Sequence, residues 1–243
     1  MSAPVSLIIS DIRKEFKKVL ALDGITLDFS SGMMHGVIGP EGAGKTTLMR
    51  IILGLLKVKS GTVQFMRGGE AIDFEQIRPS LAYVPQSQSL YPDLSVAEHL
   101  DFFKALYGIS DDLYQKRKKE LLHICRLTDF VDRPAGELSG GMYKKLALMC
   151  ALLRSPEVML LDEPTSGVDP ISRRELWELF YRLLDQKILI IVTTSYMDEA
   201  ERCNRVHLLE QGKLIASGEP RQLLLENKVR SFDELFLKRV AHA

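Results

Sequence analysis

The sequence predicts an α/β fold: a mainly parallel sheet with a helical subdomain inserted into it. Two observations lead there. Strand patterns occupy both halves of the chain, but from Ser95 to Arg154 the apolar residues recur at helical spacing. A short apolar strand at Val37–Ile38 also runs straight into a glycine-rich turn and then a helical pattern. Strands, a helical block, then strands with helices describe a layered core interrupted by an insert.

Taken in order, Leu7–Ser10 and Ile25–Phe29 combine β-branched and apolar residues with polar breaks, and read as strands. Thr46–Leu56 reads as a helix, ended by Lys57 and the turn around Gly61. Thr62–Phe65 and Leu81–Val84 are further strands. The character changes after Gln86. Ser95 and Glu98 form a capping box, the hydroxyl taking one orphan N–H and the carboxylate reaching back to another. Leu100, Phe103, Leu106 and Tyr107 continue the apolar stripe, and Lys116–Lys119 reads as a solvated helix face. Strands return at Val158–Leu161 and Ile188–Thr193. Between them Asp169 and Pro170 open a helix as N-cap and first helical residue. Ser231 and Glu234 suggest a second capping box before a short final helix.

Composition narrows the class. The chain has 243 residues, 46% hydrophobic, with Lys+Arg and Asp+Glu balanced at 32 each. Zero formal charge gives no general reason to bind nucleic acid or anionic lipid. Cys125, Cys150 and Cys203 are far apart, lack metal-ligand spacing, and read as reduced structural thiols, with Cys150 in the core. Apolar runs such as Ile188–Val192 fall far short of the ~20 residues a membrane span needs. Met1–Lys14 lacks the charged-then-apolar order of a signal peptide. The expected location is therefore cytoplasmic, with membrane association only through a partner.

Gly39-Pro40-Glu41-Gly42-Ala43-Gly44-Lys45-Thr46 matches the phosphate-loop pattern in full, between strand and helix as the pattern requires. Backbone N–H groups and a helix N-terminus there meet phosphate oxygens. Lys45 is expected to reach the β- and γ-phosphates, Thr46 to hold Mg²⁺, and Thr47 to complete the binding loop. The strand Val158–Leu161 runs into two acids. Asp162 is expected to face the Mg²⁺ shell and Glu163 to act as general base toward water.

Leu138-Ser139-Gly140-Gly141-Met142 resembles the LSGGQ signature of ABC ATPases. Gln86, in Tyr83-Val84-Pro85-Gln86, resembles the glutamine of that family's Q-loop, and Ser166-Gly167-Val168-Asp169 its D-loop. Phe16 stands where the family has an aromatic residue that stacks on adenine, although a core role fits it nearly as well. The resemblance covers about Leu7 to Gly218. It implies a P-loop NTPase (RecA-like) core with a mainly parallel sheet, an N-terminal antiparallel β part and the inserted helical subdomain. The whole of 1–243 is then one ABC ATPase domain: core 1–86 and 155–225, helical signature subdomain 87–154, helical tail 226–243.

The resemblance further implies ATP and Mg²⁺ as cofactors, the metal at Thr46, Gln86 and Asp162. Glu163, Gln86 and Tyr196 are implied catalytic residues. Ser139, Gly140, Gly141 and Asp169 are implied to meet nucleotide across a two-chain sandwich. The implied partners are a second ATPase subunit, identical or different, and a transmembrane permease. Thr194–Glu201 and Pro170–Trp177 are most similar to ABC-2-type exporter ATPases, especially the first ATPase half of tandem-ATPase multidrug exporters.

Three positions depart from the family pattern. Tyr196 replaces the switch histidine; a tyrosine donates a hydrogen bond but supplies no cation near neutral pH. Slower hydrolysis is expected. Met142 replaces the signature glutamine, and Glu41 replaces an asparagine and is expected to face solvent or a partner's basic residue. Leu90, Tyr91, Leu94, Phe102 and Phe103 divide between subdomain core and permease docking. A soluble ABC ATPase of ribosomes or DNA is the alternative function, as is a degenerate ATP sensor within a heteromeric pair.

Overall fold

The structure is a computed structural model that describes residues 3–241. It opens on a hairpin of β1 (Val5–Phe16) and β2 (Val19–Phe29). Val5, Leu7, Ile9 and Ile12 of β1 turn inward. The strand outruns the predicted Leu7–Ser10 because a register shift between Ile9 and Ile12 lets it bend and continue. β3 (Met34–Ile38) is buried along its whole length and leads into α1 (Lys45–Ile52). The helix is shorter than the predicted Thr46–Leu56. Leu53 caps it, and Gly54 follows with φ of 68°, a left-handed step that turns the chain out.

β4 (Ser60–Arg67), β5 (Glu70–Ile72), the short α2 (Phe74–Ile77) and β6 (Leu81–Val84) complete the first half. The helical block holds α3 (Val96–Tyr107), α4 (Asp111–Cys125) and α5 (Gly140–Leu152). Then come β7 (Val158–Asp162), α6 (Pro170–Leu184), β8 (Leu189–Thr194), β9 (Arg205–Glu210), β10 (Lys213–Gly218), α7 (Pro220–Asn227) and α8 (Phe232–Val240).

Two sheets result. An antiparallel one runs β2-β1-β4-β5, and a six-stranded one runs β10-β9-β3-β8-β7-β6. In the larger sheet β6, β7, β8, β3 and β9 are parallel, and β10 pairs antiparallel with β9. Strands buried on both faces read as continuous apolar runs. Alternate residues of β7 and β8 accordingly enter different cores. Val158, Leu160, Leu189 and Ile191 pack toward α1 and the antiparallel sheet. Met159, Leu161, Ile190 and Val192 pack toward the helices. The parallel register aligns Ile38 with Thr194 and Asp162 with Thr193, so the loops after β3, β7 and β8 emerge at one sheet edge. Ligands of open parallel sheets bind at that edge.

The helical block follows its sequence signals closely at Ser95, where both arms of the capping box are made. The second box is only half formed. Ser231 accepts the Glu234 N–H, but the Glu234 carboxylate accepts from Arg230 N–H at 2.8 Å, one residue too early. The basic run is not wholly solvated. Lys118 pairs with Asp101 and lies over the Tyr114 ring, while Arg117 donates to Leu153 O, so the run ties α4 to α3 and α5. All three cysteines are buried. Among the described residues no helix is long and apolar enough to cross a membrane.

Where β3 meets β9, two imidazoles sit inside the protein. His35 Nδ1 lies 3.1 Å from His207 Nε2, the rings are stacked, and Phe29 packs edge-on against both. Burial is the first cause that lowers both, His35 to about 4 and His207 to about 3 from 6.5. Both are neutral in the fold above those values, whereas the unfolded chain takes up protons below about pH 6.5. The pair therefore costs nothing above about pH 6.5 and destabilises the fold increasingly as pH falls toward 4. Urea unfolding should show lower stability at pH 5 than at pH 7. A His35→Gln, His207→Gln variant should be less stable at both pH values but show a flatter dependence between them.

Candidate functional site

The glycine-rich loop runs from the end of β3 to the start of α1 and floors a cavity of about 550 Å³. Gly44 takes φ of 105°, and a Cβ there would stand 2.6 Å from Ala21 O, so the loop presses onto β2. Glu41, Gly42, Ala43, Gly44, Lys45, Thr46 and Thr47 line the cavity together with Gln86 and Glu163. Gly39 and Pro40 open the loop. Their carbonyls accept from Lys45 Nζ at 2.7 and 3.0 Å and curl the side chain back over the loop. Glu41 is exposed, yet it lies on the cavity wall rather than turning wholly away.

Lys45 is buried, and its ammonium pairs with Glu163 Oε1 at 3.0 Å. The other oxygen of Glu163 accepts from the Ser195 N–H and hydroxyl, each at 3.2 Å. Glu163 sits just beyond β7 with φ of 48°, and its own N–H donates to Thr193 Oγ1 at 2.9 Å. A left-handed glutamate costs energy and is held by its surroundings. That backbone step turns its carboxylate toward the loop after β3.

Asp162, fully buried, is satisfied from three elements. Oδ1 accepts from Thr193 at 2.6 Å and Thr46 at 3.1 Å, and Oδ2 accepts from Tyr83 at 3.1 Å. Burial first, then the Asp162 charge, pushes the Tyr83 phenol up to about 12. Thr46, Asp162 and the nearby Gln86 offer a hydroxyl, a carboxylate and an amide, all oxygen donors. They suit Mg²⁺, which takes few protein ligands and completes its octahedron with water and phosphate oxygens.

The remaining predicted residues divide. Phe16 is exposed at the end of β1, pairs with Val19, and has the Lys14 ammonium 4.9 Å from its ring centroid. It lies neither in the core nor in the lining, although its strand partner Val19 is a lining residue. Val19, Leu20, Ala21 and Gln211 do line the cavity. The apolar triplet just after Phe16 was the available signal for three of them; Gln211 carried none.

Ser139, Gly140, Gly141 and Asp169 lie outside this cavity and gather elsewhere. Ser139 caps α5, and Gly140 stands beside Gly167. Asp169 caps α6 by accepting from Ile171 and Ser172 N–H, bonds that lower its pKa. Lys144 links α5 to the Gln86 carbonyl at 2.9 Å. Tyr196 is also outside the lining. The Arg173 guanidinium lies 4.5 Å over its ring, and Arg173 is itself fixed by Glu199 at 2.7 Å and Asp198 at 3.0 Å. Of the mixed apolar group, Tyr91 and Phe102 are exposed, while Leu90 and Phe103 pack against the core and Leu94 is half-buried.

A family model described as ABC transporter matches residues 22–166. The chain is 44% identical over 202 residues to a protein named "Probable multidrug ABC transporter ATP-binding protein YbhF" of Escherichia coli (strain K12). That match covers 83% of this chain and 35% of the relative, so the chain spans about a third of the longer protein's length. It is 37% identical to a Nod factor export ATP-binding protein I of Burkholderia lata (strain ATCC 17760 / DSM 23089 / LMG 22485 / NCIMB 9086 / R18194 / 383), covering 88% of this chain and 71% of that one. Among solved structures, an ATP binding subunit of an ABC transporter superposes with a TM-score of 0.83 at 28% identity, covering 96% of this chain and 99% of the other.

Gly141 marks the tightest contact of the signature region. A Cβ there would stand 2.4 Å from the Ser172 Cβ of α6. Gly141→Ala should therefore force α5 and α6 apart and cost about 1–3 kcal/mol, as overpacking does. Chemical denaturation should read this as a lowered midpoint.

Proposed function

Since the chain belongs to the ABC transporter family of ATP-binding proteins, we propose that it binds and hydrolyses ATP at the loop cavity and powers a membrane exporter. The carrying observation is the convergence of Lys45, Thr46, Asp162 and Glu163 at one sheet edge. Triphosphate oxygens entering the loop meet backbone N–H groups, the α1 N-terminus and Lys45. They compete with Glu163 for the ammonium. Once Lys45 turns to phosphate, Glu163 is free to orient and deprotonate an attacking water. Mg²⁺ held by Thr46, Asp162 and Gln86 would neutralise charge developing on the phosphates. Val19, Leu20 and Ala21 offer an apolar wall for the base, with Phe16, the strand partner of Val19, to stack on it.

The Ser139–Gly141 segment is not part of this cavity's lining, which fits a second chain whose nucleotide it meets. Two chains, identical or paired with a different ATPase, would close around two ATP molecules and reopen after hydrolysis. Exposed Tyr91 and Phe102, near Gln86 in sequence, offer a docking surface for a permease on the cytoplasmic face of the membrane. The names of the relatives, multidrug transport and Nod factor export, favour export.

Hydrolysis here is attenuated, because Tyr196 lies under Arg173 and supplies nothing in the cavity lining. The same observation favours a second reading, an ATP sensor paired with a more active ATPase. Steady-state ATP hydrolysis by the purified chain separates them. A slow but real rate that Glu163→Gln abolishes and Tyr196→His raises several-fold supports the attenuated motor. Binding of ATP with no turnover in wild type, and none restored by Tyr196→His, supports the sensor.

A further inference from the structure

Two neighbouring lysines of α5 are placed in different ways. Lys145 is buried and paired with Glu175 of α6. Lys144 makes no ion pair among the described residues. Its ammonium donates instead to the Gln86 carbonyl at 2.9 Å. The residue before it grips the same segment from its other end, where the Tyr143 hydroxyl accepts from the Leu90 N–H at 2.7 Å. Two consecutive residues of α5 thus hold both ends of the stretch 86–90, and Gln86 at its head lines the cavity.

The bond to Gln86 brings a lysine charge beside the oxygen donors suited to Mg²⁺. Burial works against that charge, while the charges of Asp162 and Glu163 favour it. Glu163 has a cation of its own in Lys45. Asp162 has three hydroxyl donors and no ion pair among the described residues, so its charge is balanced only from further off. We propose that Lys144 is a positioning residue for the Mg²⁺ site: its ammonium holds Gln86 by the backbone, balances the acids while no metal is bound, and opposes the metal when it binds. Lys144 thereby sets how strongly the site prefers nucleotide with Mg²⁺ to nucleotide alone. This rests on the reading of Thr46, Gln86 and Asp162 as the metal's ligands.

The charge makes this role separable from that of a tether. A side chain that only shapes 86–90 changes the binding of nucleotide with and without metal alike. A fixed cation attracts the bare triphosphate and repels the divalent ion, so the two forms respond differently.

The test measures the dissociation constant of mant-ATP, a fluorescent ATP analogue, in excess Mg²⁺ and in EDTA. Wild type is compared with Lys144→Gln, which keeps a donor without the charge, and Lys144→Arg, which keeps the charge. The ratio of the EDTA value to the Mg²⁺ value should rise about fivefold in Lys144→Gln, the size of a like-charge interaction across a few ångströms of hydrated cleft. In Lys144→Arg it should stay within about twofold of wild type. An unchanged ratio in Lys144→Gln overturns the proposal, whether both constants hold still or both move together, because Lys144 is then at most a tether. A ratio that rises equally in Lys144→Arg overturns it too, since the charge is still there. Asp162→Asn, which removes a metal ligand, should lower the ratio. If it does not, the assignment of the metal's ligands fails, and this proposal with it. No binding of mant-ATP to wild type under either condition removes the nucleotide site itself.

Discussion

The architecture of the site depends on satisfying one buried charge. Asp162 has no exposure, and a carboxylate out of water is tolerated only with its lone pairs filled. Thr46 reaches it from α1, Tyr83 from β6 and Thr193 from β8. Those three donors pin the start of the helix that follows the phosphate loop, the strand that leads to Gln86, and the strand that leads to Ser195. Glu163, next in the chain, inherits that geometry through its N–H bond to the same Thr193. Loss of any one donor loosens the segment that it fastens to the carboxylate.

The second organising contact is steric. The two glycines after Ser139 let the head of α5 lie against the start of α6, Gly140 beside Gly167 and Gly141 under Ser172. The loop before α6 ends in Asp169, whose Oδ1 caps that helix. The signature segment and this loop consequently form one packed unit, separate from the cavity in the same chain. Lys144 is its link to the other side, through the Gln86 carbonyl.

Much of this could be read from the residues. The glycine spacing before Lys45, the two acids ending an apolar strand and the Ser95–Glu98 pair each express a local physical rule, and each appears where the rule places it. The length of α1 was misread because Leu53, Leu55 and Leu56 continue an apolar pattern, although Gly54 ends the helix. The Ser231 box failed by one residue, a difference of side-chain reach rather than of pattern. Tyr196 and Ser195 were illegible for a deeper reason. Ser195 bonds Glu163 while the Tyr196 ring lies under Arg173, both contacts with distant elements, and no periodicity carries that information.

The Lys45–Glu163 pair has a consequence for how an anion arrives. A bare lysine at the bottom of a cleft would throw a positive field outward and draw polyphosphates in from a distance. Here a carboxylate 3.0 Å away cancels that charge to first order. Attraction is left to the short-range dipoles of the loop N–H groups and the first turn of α1, which fade within a few ångströms. Lys45 therefore holds an anion that has already arrived more than it draws one in from a distance.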